Sequence, residues 1–255
     1  MPTIVACYKW VVDEADIRIG DDLSVDTSRA QNKISDFDRS AIEAAMRISA
    51  ETGDDVATLS YGTPAVSKSM KDALSRGPGQ GYWIGIDAAS ESDGRATAKA
   101  LAAGTRAIGD VSLVVCAEGA SDTYARQVGP RLGAYLDWPI VTSVVDMKVE
   151  GTAITATRKL ENVTQSVEVE MPAVICVLPE GFEPKIPGLK AIMGAGKKPQ
   201  TELSANEFGI DPSPVSQRGI PKGFAMARKN LLIAEDDMAV AAKELADAMR
   251  KEGVL

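Results

Sequence analysis

Histidine is absent from the 255 residues of this chain. Its absence excludes Ser–His and Cys–His nucleophile pairs, imidazole acid–base catalysis and nearly all zinc sites. Cysteine is scarce: Cys7, Cys116 and Cys176 lie far apart and form no CxxC pair. Each sits in an apolar, strand-like run, so all three read as core thiols of a reducing compartment. Neither GxGxxG nor GxxxxGK[ST] occurs, so the two common phosphate-loop fingerprints are missing. No apolar run approaches the ~18 residues of a membrane-spanning helix. No signal-peptide pattern precedes the first strand, and the chain reads as cytoplasmic. Positive charge is also short, with 28 Lys and Arg against 36 Asp and Glu, a net charge of −8. Basic runs such as Lys197-Lys198 and Arg228-Lys229 are no longer than pairs, which argues against nucleic acid or an anionic membrane surface as partner.

What is present is ordinary for a globular protein: 45% apolar and 25% charged residues, in a chain long enough to bury a sizeable core. Residues 3–7 form an apolar strand, with Tyr8-Lys9 at its carboxyl end, the end at which open parallel sheets bind ligands. Ser35-Asp36-Phe37-Asp38 then opens a helix whose stripe runs through Ile42, Ala45, Met46 and Ile48. Residues 56–60 are the next strand, and Pro64 suits the first turn of a helix reaching about Leu74. A strand at 82–86 and an alanine-rich helix from about Gly94 to Ile108 follow. This alternation predicts an α/β fold: a doubly wound, mostly parallel sheet. After Pro139 the runs 141–149, 153–160 and 163–170 are separated by short turns and predict an added antiparallel meander, and 173–178 returns as a buried strand.

The most informative stretch is residues 110–139, DVSLVVCAEGASDTYARQVGPRLGAYLDWP. A short β-branched run, 111–116, is followed by a Gly119-Ala120 turn, then Ser121-Asp122-Thr123, then the helical spacing Tyr124, Val128, Leu132, Tyr135. Strand, turn, hydroxyl-rich cap and helix in this order aim backbone N–H groups and a helix dipole at a phosphate. A plain helix N-cap uses the same residues. Pro130 inside the apparent helix predicts a kink or a late helix start.

Three segments carry a family resemblance. ARQVGPRLGAYLDWP at 125–139, KISDFDRSAIEAAMR at 33–47 and IPGLKAIMGAGKKP at 186–199 resemble the small (beta) subunit of electron transfer flavoproteins, most closely the branch of carnitine metabolism and similar anaerobic acyl-CoA reductions. The resemblance implies an adenine nucleotide alpha-hydrolase-like fold. It divides the chain into a nucleotide-binding α/β domain over 1–199 and a partner-wrapping arm with a terminal helix over 200–255. It implies an electron carrier subunit, not a catalyst in its own right, that passes electrons to or from an acyl-CoA dehydrogenase or reductase. FAD would be held mainly by the large (alpha) subunit, and this chain would hold AMP or a second FAD.

Carried onto this sequence, the adenine side is expected against Ala6, Cys7 and Lys9, against Ser35, Asp36, Phe37 and Asp38, and against Tyr61. The phosphate side falls to Ser121, Asp122, Thr123 and Tyr124, followed by Gln127, Val128, Gly129 and Pro130. Arg158 is expected to face the flavin, and Leu189, in the loop 181–199, to dock on the dehydrogenase. Bifurcating relatives that hold a second FAD have an Asp-Gly-Asp-Thr type loop before Gln-Val-Gly-Pro; half of that motif is present here, so AMP and FAD both stay open. A stand-alone ATP-using module is the remaining alternative. It requires a glycine-rich loop where Cys7-Tyr8-Lys9-Trp10 stands.

Overall fold

A computed structural model describes residues 2–214, 219, 222–224 and 229–255. Arg228, of the second basic pair, lies outside the described residues. The chain divides into two compact units, one of Met1–Arg18 and Asp26–Ile220, the other of Ile19–Val25 and Pro221–Leu255.

Beside a small antiparallel pair, Trp10–Val12 with Asn32–Ile34, the larger unit is built on a sheet of nine strands: β1 (Thr3–Tyr8), β2 (Asp55–Gly62), β3 (Gln80–Gly85), β4 (Val111–Ala117), β5 (Ile140–Glu150), β6 (Ala153–Lys159), β7 (Thr164–Glu170), β8 (Ala173–Val177) and β9 (Gln200–Glu202). They form one sheet in the order β7-β6-β5-β8-β4-β1-β2-β3-β9. Every neighbouring pair from β5 across to β9 is parallel, whereas β6 pairs antiparallel with both β5 and β7. Strands β1 and β8 are continuous apolar runs because both faces are covered. The solvated β7 alternates valine with glutamate.

Helices cover both faces. α1 (Asp36–Thr52) buries Ala41, Ile42, Ala44, Ala45 and Ile48 against the face that carries Ile4, Ala6 and Tyr8. α2 (Met70–Ser75) joins the same cluster through Met70 and Ala73. α3 (Gly94–Ile108) and α4 (Val128–Leu136) cover the opposite face over Val5, Cys7, Cys116 and Cys176. The expected doubly wound α/β sheet with an antiparallel extension is therefore the fold of this unit.

Of three local features, two depart from the sequence reading and the third, the late start of α4, is one of the two outcomes expected from Pro130; each has a physical reason. The segment opened by Pro64 begins as a 3-10 turn over Pro64–Ser69 and becomes α-helical only at Met70. α4 starts at Val128, so Pro130 falls in the first helical turn, where a missing N–H breaks no intrahelical bond. Gln200–Glu202, which has no apolar signature, is an edge strand held by backbone pairing with β3. Among the described residues no helix is long and apolar enough to cross a membrane.

After β8 the chain runs through α5 (Leu189–Ala195), which packs on α2 and leaves Ile186, Leu189 and Met193 exposed. In the smaller unit α6 (Met238–Lys251) is capped by the Asp237 carboxylate and has no buried residue; its Met238, Val240 and Leu245 are exposed.

Lys198 fastens the chain after α5 to the end of α2. Its ammonium donates to the carbonyl oxygens of Leu74, Gly77 and Pro78 at 2.8, 3.0 and 2.6 Å. Hydrogen bonds to a charged donor contribute about 1.5–3 kcal/mol. Lys198→Met is expected to lower unfolding stability by an amount in that range, read from the urea midpoint. The neighbouring, exposed Lys197→Met should leave it unchanged.

Candidate nucleotide-binding cleft

Strands β1, β2 and β3 run outward to one side, and the chain then returns to place β4 on the other side of β1. Such a reversal leaves a crevice at the carboxyl ends of the two central strands, where ligands of open α/β sheets bind. A cleft of about 360 Å³ occupies that position. Its walls are residues 7–12 after β1, 61–63 at the end of β2, the approach to α3 from Ala89 to Thr97, and residues 116–129 between β4 and α4.

The N-termini of α3 and α4 both border it, and they differ. α3 is closed by its own cap, since the Asp93 carboxylate accepts from the N–H groups of Arg95 and Ala96, both at 2.9 Å. α4 has no side-chain cap at Gln127, so its first N–H groups remain available for an anion. α4 is brought over the strand ends by Gly129: a Cβ there would stand 2.1 Å from the Cys176 Sγ. This glycine serves helix-on-sheet packing, with its backbone at the cleft wall. The Ser121 hydroxyl is buried without a hydrogen-bond partner among the described residues, and its N–H donates to the Ser35 Oγ at 3.1 Å. An uncapped helix start and the Lys9 ammonium, both at the cleft wall, are donors suited to a phosphate.

Carboxylates stand among these donors, and each has an internal partner. Lys9 Nζ lies 2.5 Å from Asp122 Oδ2. Asp38 is buried and accepts the Lys9 N–H at 2.8 Å, tying the end of β1 to the start of α1. Burial pushes its carboxyl up to about 7, against the lowering effect of that hydrogen bond. Glu118 is buried and accepts from Arg126 Nε at 3.1 Å, Arg126 Nη2 at 2.7 Å and the Ser143 N–H at 2.8 Å. Tyr124 and Arg126 adopt left-handed backbone angles, φ 44° and 56°. Such residues cost about 1–3 kcal/mol each and persist where their surroundings hold them. The Tyr124 ring rests on Phe37, centroids 5.1 Å apart. Cys7 and Cys116 line the floor. A hydrogen bond of the Cys7 thiol to Cys116 together with burial raises the Cys7 thiol, and burial raises Cys176, so both stay protonated at neutral pH.

Of the residues picked out by sequence, Cys7, Lys9, Asp38, Tyr61, Asp122, Thr123, Gln127, Val128 and Gly129 meet at the cleft wall. Ser35, Phe37, Ser121 and Tyr124 stand behind it, joined by the contacts above. Ala6 is in the core on the α1 face, and Pro130 is an exposed first-turn residue of α4. Asp36 points to surface partners, Lys33 at 2.9 Å and Arg39 at 2.7 Å. Arg158 lies on β6, where it donates to the Thr142 carbonyl at 2.7 Å and the Thr142 Oγ1 at 3.0 Å. Leu189 is on the separate, exposed turn of α5.

Sequence reasoning missed Trp10, Ser92, Asp93, Glu118 and Arg126. Ser92 accepts from or donates to the Tyr61 hydroxyl at 2.8 Å, and Asp93-Gly94 carried a readable helix-start signal. The Glu118–Arg126 pair spans a loop and leaves no periodic trace.

Residues 22–208 match the family described as electron transfer flavoprotein domain. The match covers well over half of the chain, and the chain belongs to that family.

Asp38 generates a pH prediction. Its folded pKa, about 7, lies above the ordinary carboxylate value near 4. The folded state therefore holds a proton that the unfolded state releases between about pH 4 and pH 7. The stability this gives is fully present below pH 4 and lost as pH rises through 7. Urea midpoints at pH 5 and pH 8 should differ by less in Asp38→Asn than in the unaltered protein. An identical difference in both would remove Asp38 as the source.

Proposed function

We propose that this member of the electron transfer flavoprotein family is the small (beta) subunit of a cytoplasmic heterodimer of the carnitine-metabolism type. In this reading it shuttles electrons to or from an acyl-CoA dehydrogenase or reductase. The switch-point cleft holds an adenine nucleotide, and the FAD is held mainly by the large subunit. The carrying observation is the switch-point cleft itself, lined by the uncapped start of α4 and by Lys9. When bound, the flavin supplies the electron chemistry. This chain's residues would bind, orient and keep water out, with no proton transfer required of them, in keeping with a sequence free of histidine.

A second reading places FAD instead of AMP in the cleft, as in bifurcating relatives. Asp122-Thr123 and the run Gln127–Pro130 support it as the retained half of that motif. The exposed apolar side chains Ile186, Leu189 and Met193 support docking of a redox partner on α5. The apolar face of α6, unburied within its own unit, supports an arm that covers a large subunit.

Two measurements test this reading. Heating the purified complex and separating the released nucleotides should give FAD and AMP in equal amounts for the carrier, or two FAD per heterodimer for the bifurcating form. Release of one flavin and nothing else contradicts the cleft assignment. Leu189→Ala is expected to weaken productive coupling to the acyl-CoA dehydrogenase by roughly 1–3 kcal/mol, the cost of truncating an interface anchor, with flavin content unchanged. Unaltered coupling would remove Leu189 from the docking surface.

A further inference from the structure

The loop between β4 and α4 forms one wall of the cleft and carries Asp122 and Thr123. Its backbone is strained at two non-glycine residues, Tyr124 and Arg126, so something must hold it. At its near half the Ser121 N–H donates to Ser35, and the Tyr124 ring rests on Phe37. At its far half the Arg126 guanidinium reaches back to Glu118.

Most surface ion pairs hold little, because both partners are mobile and solvated. This one differs in its acceptor. Glu118 is 8% exposed, and its own N–H donates to the Val177 carbonyl of β8 at 3.0 Å. Its second oxygen accepts the N–H of Ser143, which itself has φ 60° at an irregularity of β5. Glu118 is thus held on two strands, β8 through its backbone and β5 through its carboxylate, and two guanidinium N–H groups converge on one of its oxygens. Arg126, by contrast, is half exposed and belongs wholly to the loop.

We infer that Glu118 and Arg126 are positioning residues: their pair is a clasp that holds the strained loop, and with it the cleft wall and the entrance to α4, in the shape that receives a ligand. This rests on the reading of the cleft as a nucleotide site. Without the clasp Tyr124 and Arg126 relax toward ordinary backbone angles, and Asp122 and Thr123 move with them.

Hydrogen–deuterium exchange on the purified, nucleotide-stripped complex tests the clasp independently of any ligand. Glu118→Gln and Arg126→Gln should each speed exchange over residues 119–127 at least tenfold, with peptides of β1 and α1 unchanged. Arg126→Lys, which keeps the charge but loses the planar fork, should restore part of the protection. Calorimetric titration with AMP and with FAD should then show each Gln variant binding at least tenfold more weakly, and the double variant no more weakly than the worse single one. Unchanged exchange in Arg126→Gln, whose side chain is too exposed to jeopardise folding, would overturn the clasp. So would additive losses in the double variant. If the unaltered complex binds neither nucleotide, the cleft reading falls and the exchange result alone decides whether the loop is clasped.

Discussion

Gly129 presses against Cys176 so closely that a single methyl group has no room between them. The rest of the cleft depends on that contact. It lets the first turn of α4 lie directly over β4 and β8, so that its uncapped N–H groups stand at the carboxyl ends of the strands. A bulkier residue would lift the helix start off the sheet. The reversal of strand order between β1 and β4 then supplies the space beneath. Sheet topology makes the crevice, and the absence of a side chain at one position lets backbone form part of its wall.

The charges of the cleft form a framework before they form a binding site. Asp38 is committed to the Lys9 N–H, Asp122 to the Lys9 ammonium, and Glu118 to Arg126 and Ser143. Asp93 caps α3. With this many carboxylates, the wall does not attract anions by net charge. An anionic ligand would gain from directed donors instead: the start of α4 and an ammonium already oriented by its partner. Such an arrangement suits a carrier, which needs a cofactor held at a fixed place more than it needs groups that move protons.

The sheet was legible in the sequence because strands buried on both faces must be almost wholly apolar, as TIVACY and AVICV are, and because the alanine-rich α3 separates them with a clear helical signal. β9 was not legible, since Gln200–Glu202 is polar and its place is set by backbone pairing with β3 alone. The late start of α4 was foreshadowed by Pro130, and Tyr124 sits at helical spacing from Val128 without belonging to the helix. Its ring packs on Phe37, and its backbone is left-handed. At the site, the turns after β1 and β4 were readable from strand ends followed by polar residues. Glu118 and Arg126 were not, since an ion pair closing a loop depends on where the loop folds and not on any spacing. Arg158 illustrates the limit from the other side: its guanidinium fills the irregular part of β5 at Thr142, a role no pattern announces.

The central claim is that an adenine nucleotide occupies the cleft at the ends of β1 and β4. Photolabelling the purified complex with an azidoadenine nucleotide, followed by peptide mapping, tests it most directly. The account predicts label on residues 7–12, on residues 61–63 or on the 116–129 segment, with protection by excess unlabelled nucleotide. Protectable label found only outside these segments, for example around Arg158 or on α6, would contradict it.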